Sequence, residues 1–119
     1  MSKDLHPESQ NKDAAFNADG GQLASLLEVI PEAVIVRSGE QIVYLNGAAR
    51  SLLVFDGPLD GSKTSEIRNF VHPDERAILK DYYSKRIGGE EAPTQYEFRI
   101  IRTDGGLVWT SCQASRILW

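Results

Sequence analysis

The stretch YEFRIIRTDGGLVW, Tyr96–Trp109, decides the fold. Two runs rich in β-branched and aromatic residues flank Asp104, Gly105 and Gly106, and an Asp-Gly pair between such runs is typical of a β-hairpin turn. Successive side chains of a strand point to opposite faces, so the first run presents one apolar face and one charged face. The stretch therefore predicts two antiparallel strands on a core, with Asp104, Gly105 and Gly106 supplying the positive-φ positions of the turn.

An earlier hairpin and several helices precede this stretch. Two β-branched runs, Val34–Val36 and Ile42–Leu45, are separated by a turn that contains Gly39. Asn46 follows as a helix cap, and the segment His72–Gly89 has acidic residues at its start, basic residues near its end and a terminal glycine, as helices do. Two strands, short helices and two further strands predict an α+β fold, an antiparallel sheet with helices gathered on one side.

The start of the chain differs in composition from the rest. Residues 1–21 contain few large apolar side chains and predict a flexible leader. Residues 22–31 predict a short amphipathic helix that ends at a proline. Its apolar face consists of Leu23, Leu26, Leu27 and Ile30. This helix either packs on its own domain or pairs with its copy in a dimer, and the sequence leaves both interpretations open.

Length and charge exclude several classes of protein. The 119 residues, 41% of them hydrophobic, suit one domain with a modest core. The net charge of -4, without a basic block, argues against nucleic acid as a partner. No apolar run approaches the ~20 residues that span a bilayer, and the start lacks a secretory signal, which predicts a cytoplasmic protein without membrane contact. The single cysteine, Cys112, cannot form an internal disulfide.

Five short motifs in a fixed order carry a family resemblance. They are IPEAVIV at residues 30–36, IVYLNGAARSLL at 42–53, Gly61 in the following loop, VHPDER at 71–76, and YEFRIIRTDGGLVW at 96–109. From about Leu26 to Trp119, the chain resembles a PAS domain, the small sensory module of signalling proteins such as bacterial histidine kinases. The resemblance implies a five-stranded antiparallel sheet whose concave face, together with short helices, encloses a pocket for a ligand.

The resemblance also assigns residues to the two faces of the sheet. The pocket-facing residues that it implies are Phe70, Tyr96, Phe98, Ile100, Val108, Thr110 and Cys112. Such domains commonly dimerise through the outer face of the sheet and a preceding helix, where Trp109 and Gln113 are expected to lie outward. The dimer interface that this implies consists of Leu23, Leu26, Leu27, Ile30 and Trp109.

One departure from the PAS pattern concerns the fifth strand. In the family this strand lies between the first and fourth strands, whereas here the core, residues 32–119, ends within the fourth predicted strand. A missing strand would leave two sheet edges unpaired. Either the sequence is a cut piece of a larger protein, which is the interpretation we favour here, or another segment fills the gap.

The sequence gives no sign of a cofactor. Light-sensing flavin relatives carry a reactive cysteine on a helix beside the flavin, and the corresponding residues 62–75 contain none. Haem-binding relatives place a histidine along the long helix, whereas His72 stands at its start beside Pro73, where a capping role is expected. We therefore expect no haem, flavin or metal, and an unidentified small molecule as the ligand.

Catalytic and ion-binding patterns are equally lacking. Position twelve from Asp56 is Ile67 rather than the glutamate of a calcium loop, and neither Asp-Gly element precedes a Gly-Lys-Ser/Thr ending. Cys112 is expected to be a small buried strand residue, because the sequence supplies no base to activate its thiol. The chain is thus interpreted as a regulatory domain rather than an enzyme.

Two functional hypotheses follow from these expectations. The first is a cytoplasmic PAS sensory domain of a two-component system that binds a small ligand or partner and regulates an attached output domain, a histidine kinase. It acts as a homodimer. The alternative is a ligand-free dimerisation or protein-interaction module whose core is filled by side chains such as Phe70, Tyr96 and Phe98.

Overall fold

The computed structural model describes the backbone of residues 2–7 and 25–117 and the side chains of residues 25–116. The strands are β1 (Ser2–Pro7), β2 (Ala33–Ser38), β3 (Gln41–Leu45), β4 (Gln95–Ile101) and β5 (Leu107–Ile117). The helices are α1 (residues 25–28), α2 (Gly47–Leu53) and α3 (Pro73–Ile87), with two 3₁₀ helices at Lys63–Ser65 and Ile67–Phe70. The predicted α+β class, with antiparallel hairpins and short helices, is confirmed. No helix of the described residues is long and apolar enough to cross a membrane.

The five strands form one sheet in the order β3-β2-β1-β5-β4. The two predicted hairpins, β2 with β3 and β4 with β5, are antiparallel and form the two sides of the sheet. Between them β1 runs parallel to both of its neighbours, so that Lys3 lies beside Val34 on one side and Gln113 on the other. The first strand of the chain thus joins the two hairpins.

The position of β1 corrects two expectations. A flexible leader over residues 1–21 is wrong for Ser2–Pro7, and the gap in the sheet is filled by this segment rather than left open. The sequence SKDLHP carries no strand pattern, but the facing edges of β2 and β5 present backbone N–H and C=O groups that pairing with a strand satisfies. Backbone pairing, which composition does not reveal, explains the placement. Residues 8–24 lie outside the described residues.

The turn between β4 and β5 contains fewer residues with a positive φ than predicted. Only Gly105 has a positive φ, of 89°, whereas Asp104 and Gly106 do not. The Asp104 carboxylate instead accepts a hydrogen bond from the Gly106 N–H at 2.9 Å, and the Arg102 N–H donates to the Gly106 carbonyl at 2.8 Å. A side-chain hydrogen bond of this kind holds an Asx turn with one left-handed residue.

The core lies between the concave face of the sheet and the helices. It contains Ala33, Ile35, Ile42, Leu45, Ala49, Leu53, Phe55, Ile67, Phe70, Val71, Phe98, Ile100, Cys112 and Ala114. The inward residues of β2, β4 and β5 recur at every second position, as the alternation in the sequence predicts, whereas Ile42 and Leu45 of β3 lie three positions apart across a shift in register. The helix α3 has the predicted ends, with His72 as its N-cap and Gly88 as its C-cap. The His72 imidazole accepts the Asp74 N–H at 3.1 Å, which confirms its capping role.

Asn46 joins three segments, and we call its contacts the Asn46 junction. Its side chain has no solvent exposure. The Oδ1 atom accepts from the N–H groups of Val34 and Ala49, both at 2.9 Å, the second of which caps α2 as predicted. The Nδ2 group donates to the carbonyls of Leu27 at 3.1 Å and Glu32 at 2.9 Å. The junction therefore ties α1 and the segment after it to β2 and α2.

The helix α1 lies on the outer side of the first hairpin. Leu27 packs against Val34 and Val36, the outward residues of β2. The Glu28 carboxylate accepts hydrogen bonds from the Tyr44 hydroxyl and from the Gly47 N–H. Burial, together with the Glu28 carboxylate, raises the pKa of the Tyr44 hydroxyl above its ordinary value. These contacts support the interpretation that the helix packs on its own domain.

Candidate ligand-binding cleft

A cleft of about 410 Å³ opens between the end of β2, the second 3₁₀ helix and the first half of α3. Its lining residues are Arg37, Glu40, Glu66, Ile67, Arg68, Val71, Arg76, Ala77, Leu79 and Lys80. Pockets for small molecules commonly enclose ~300–1,000 Å³. The cleft is therefore large enough for a small organic ligand.

Local structure on all sides holds the walls of the cleft in place. The Ile67 N–H donates to the Glu40 carbonyl at 2.8 Å, which fixes the 3₁₀ helix to the turn between β2 and β3. The Tyr83 hydroxyl, from α3, accepts the Gly39 N–H at 2.8 Å on the same turn. The turn is thus held by both helical elements that line the cleft.

Arg37 is the buried charge of the cleft. It follows Ala33 and Ile35 on the inward face of β2, and it is 6% exposed. Its Nε–H donates to the Gly39 carbonyl at 2.9 Å, and its guanidinium carbon lies 3.8 Å from the centroid of the Tyr83 ring. Among the described residues, no carboxylate forms an ion pair with it. The Arg37 guanidinium is therefore held at the cleft by the Tyr83 ring and the Gly39 carbonyl.

The rim of the cleft carries further charges. Arg68 pairs with Glu66 at 3.3 Å, while the Arg76 Nε–H donates to the Val71 carbonyl at 3.0 Å. Arg76 and Lys80 lie four residues apart on α3 and so share one face of that helix. With Arg37 the lining holds four cations and two carboxylates, so the cleft is formally positive in an acidic protein.

The seven residues expected to face a pocket all come from the predicted side of the sheet or the helix over it. Phe70, Phe98, Ile100, Thr110 and Cys112 are buried, and Tyr96 packs against the same core. Val108, opposite Ile100 in the hairpin, is half-buried. None of the seven lines the cleft beside Arg37, although Phe70 borders a more open cavity of about 440 Å³ near Phe55 and Thr103. Their ligand-binding role remains a prediction.

Thr110 and Cys112, two of the seven residues expected to face a pocket, have buried side chains that carry a polar atom. The Thr110 Oγ1 atom is buried and, within the described residues, forms no hydrogen bond. Cys112 is a buried thiol, 2% exposed, as its small size and strand position predict. An unpartnered hydroxyl in a core lowers stability, since it has lost its hydrogen bonds to water.

A cluster of charged side chains stands at the start of α3. His72, Asp74 and Glu75 offer nitrogen and oxygen atoms within 4.8 Å of one another. Arg99, from β4, forms ion pairs with both carboxylates of the cluster. Its Nη2 atom lies 2.6 Å from the Glu75 Oε2 atom and 3.4 Å from the Asp74 Oδ2 atom. The hydrogen bonds from Arg99 hold the pKa of the Glu75 carboxyl below its ordinary value, and Glu75 raises the pKa of Arg99. A guanidinium thus satisfies the carboxylates, and this cluster clamps α3 to the sheet.

The outer face carries the residues expected at a dimer interface. Leu27 and Ile30 contact the protein's own first hairpin, whereas Leu26 and Trp109 are each 66% exposed. The guanidinium carbon of Arg99 lies 5.3 Å from the centroid of the Trp109 ring. Gln113 is exposed, as predicted. Leu23 lies outside the described residues. Leu27 and Ile30 thus support packing of the helix on its own domain, while a dimer through Leu26 and Trp109 stays a prediction.

Sequence reasoning did not identify the residues of the cleft. One signal was present, because AVIVRSG places Arg37 two positions after Ile35 and so on the inward face of a predicted strand. A charged residue at an inward position is unusual and marks a site for inspection. The other lining residues come from helices whose relative positions only the folded chain defines.

The comparison with protein families agrees with this geometry. A family model described as PAS fold matches residues 43–118, from β3 to the end of the described chain. No curated protein matches the chain. The match covers more than half of the sequence and includes α3 and the second hairpin. The chain therefore belongs to the PAS fold family.

Proposed function

We propose that this PAS domain is a cytoplasmic sensory module that binds a small ligand in the cleft beside Arg37 and regulates an attached output domain, a histidine kinase. The observation that carries the proposal is the cleft itself, about 410 Å³ with one buried cation in its wall. The family supports the sensory role, since PAS domains typically act in sensing and signalling. In this proposal the domain is regulatory, and catalysis belongs to the output domain.

A continuous set of contacts supports a route for the signal. Arg37 and Val34 belong to the same strand, and the Val34 N–H donates to Asn46. Asn46 in turn donates to the Leu27 carbonyl of α1. A ligand that shifts Arg37 therefore acts on the strand that bears α1, and the packing of α1 is the expected output.

Nuclear magnetic resonance on the full chain tests this role. Small molecules extracted from the purified protein, identified by mass spectrometry, are titrated back into ¹⁵N-labelled protein. We expect amide shifts at Arg37 and Gly39 together with shifts at Leu27 and Ile30. A compound that shifts the cleft amides and leaves α1 unchanged would contradict the proposed route. A visible absorbance spectrum should show no haem or flavin.

The alternative proposal is a dimerisation module without a ligand. The close packing of Phe70, Phe98 and Ile100 in the core supports it, as do the exposed apolar side chains of Leu26 and Trp109. Both proposals include a homodimer formed through the outer face. They differ in the cleft, because only the sensory module needs an occupant there.

Sedimentation equilibrium tests the dimer. The wild-type chain is expected to be dimeric at micromolar concentration, and the double variant Leu26→Asp, Trp109→Asp is expected to be monomeric. Ile78→Asp replaces an apolar residue of α3 that is 48% exposed, and it serves as a matched control that keeps the dimer. A monomeric wild type would refute the interface. Dimers that retain no compound would favour the module without a ligand.

A further inference from the structure

Building on the proposed sensory function, we infer that the cleft binds an organic carboxylate whose carboxylate group lies on Arg37. Three features of the cleft point to this class of ligand. They are a buried guanidinium without a counter-charge in the described part of the chain, an excess of cations on the rim, and an apolar floor. Each restricts the chemistry of the occupant in a different way.

Arg37 requires an anion or an acceptor. An arginine has five N–H donors, and the described residues accept one of those of Arg37, at the Gly39 carbonyl. The Tyr83 ring beneath the guanidinium offsets part of the cost of burial. Within residues 25–116, however, no carboxylate compensates the charge, and a buried charge without a partner is unfavourable. A planar carboxylate accepts two parallel hydrogen bonds from the guanidinium fork.

The rim favours an anion over a neutral acceptor. Arg76 and Lys80 face the cleft from one side of α3, and Lys80 has no ion-pair partner among the described residues. Glu66 is already paired with Arg68, which leaves Glu40 as the other carboxylate of the lining. The surplus of positive charge attracts an anion to a protein whose net charge is -4.

The floor favours an anion with a carbon skeleton. Ile67, Val71, Ala77 and Leu79 line the cleft between the charged groups. Inorganic phosphate has no apolar surface to bury on these side chains, whereas an aliphatic or aromatic acid does. A cleft of about 410 Å³ also exceeds what a bare phosphate fills. The combination is that of an amphipathic acid, anchored at Arg37 and covered by α3.

Isothermal titration calorimetry on the full chain tests the inference with defined probes. The panel comprises butyrate, octanoate and phenylacetate, each with its primary amide, and inorganic phosphate. At least one acid is expected to bind, and its amide and phosphate should bind about tenfold or more weakly. If no acid binds, or an amide binds as well as its acid, the inference is wrong.

Variants locate the binding site. Arg37→Met keeps an unbranched stem like that of arginine, removes the charged guanidinium, and should weaken the acid that binds by about 10- to 100-fold. Lys85→Met is the matched control, because Lys85 pairs with Asp81 on α3 and does not line the cleft. If Arg37→Met does not fold, the exposed rim variants Arg76→Met and Lys80→Met replace it and should each weaken the acid. Unchanged affinity in the folded cleft variants would overturn the inference.

The outcomes separate this inference from the proposed sensory function. Equal binding of an acid and its amide, with shifts that reach Leu27, would refute the carboxylate and leave the sensory module standing. Binding of the acid through Arg37 without any change at α1 would support the carboxylate and refute the signalling route. The two readouts, affinity and amide shift at α1, are independent.

Discussion

Asn46 and Arg37 are buried polar side chains of the same hairpin region, and their surroundings differ. Asn46 has hydrogen bonds on both atoms of its amide, two accepted and at least two donated, all with the backbone. Among the described residues, Arg37 forms one hydrogen bond and an aromatic contact. Buried polar groups are normally satisfied, so the first pattern is that of a structural group and the second that of a binding group. Thr110 is a third case, buried and without a partner among the described residues.

Replacement of Asn46 should have the largest effect. Asn46→Ala removes the cap of α2 and the hydrogen bonds to the Val34 N–H and to the carbonyls of Leu27 and Glu32, so the free energy of unfolding should fall by about 3 kcal/mol. Urea denaturation followed by circular dichroism measures it. Asn69→Ala, at an exposed asparagine, is the control and should lower the free energy by less than about 1 kcal/mol. Equal losses would remove the distinction between a junction and a surface residue.

Replacement of Thr110 should act in the opposite direction. Thr110→Val keeps the shape of the side chain and removes the hydroxyl that lacks a partner, so the free energy of unfolding should rise by about 1 kcal/mol. Thermal denaturation by calorimetry measures the change. Ser65→Ala is the matched control, because its buried hydroxyl donates to Gln41 at 2.9 Å and its loss should destabilise. A destabilised Thr110→Val would mean that the hydroxyl has a bound partner.

Replacement of Arg37 should change stability little. Arg37→Met loses one hydrogen bond and the contact with Tyr83, but it also removes a buried charge, and these effects oppose each other. The free energy of unfolding should change by less than about 1 kcal/mol, while ligand affinity falls. Denaturation without ligand checks the first statement. A loss comparable to that of Asn46→Ala would make Arg37 a structural residue, and the comparison would fail.

The smallest effect concerns acid stability at the start of α3. The pKa of Glu75 is lowered by Arg99, so the folded state binds this proton less readily than the unfolded state. The stabilisation is complete above the ordinary carboxyl pKa and is lost as pH falls through the lowered value. Glu75→Gln should therefore flatten the loss of stability in acid. Chemical denaturation at a series of pH values measures it, with Asp81→Asn as the control. An unchanged acid slope would contradict the clamp.

Much of the fold follows from local patterns. Alternation in YEFRIIR gives the inward face of β4, and the Asp-Gly pair gives the hairpin, because these signals lie within a few residues of one another. The caps Asn46 and His72 also act locally and are readable. The strand β1 cannot be predicted from local patterns, since its place depends on two strand edges supplied by distant parts of the chain. A polar segment such as SKDLHP gives no sign of that partnership.

The candidate site shows the same limit. The inward orientation of Arg37 follows from strand alternation, but nothing in AVIVRSG indicates which groups face it. Arg76 and Lys80 reach the cleft because two contacts hold the start of α3 on the sheet, the hydrogen bond from the His72 N–H to the Arg99 carbonyl and the Arg99–Glu75 ion pair. The family resemblance places the pocket on Phe70 and on inward residues of β4 and β5, most of which pack in the core, and their ligand-binding role stays a prediction. Cavities form where elements meet imperfectly, and local patterns do not describe those gaps.

The central position of β1 has a consequence for how the protein is made. A ribosome produces Ser2–Pro7 before all the other strands of the domain, yet this segment is a hydrogen-bonded neighbour of β5. The sheet cannot close before β5 has been synthesised, so β1 stays unpaired on one side until then. Contacts between such distant parts of a chain also slow folding. The domain thus completes its sheet late in its own folding, when its first strand meets its fifth.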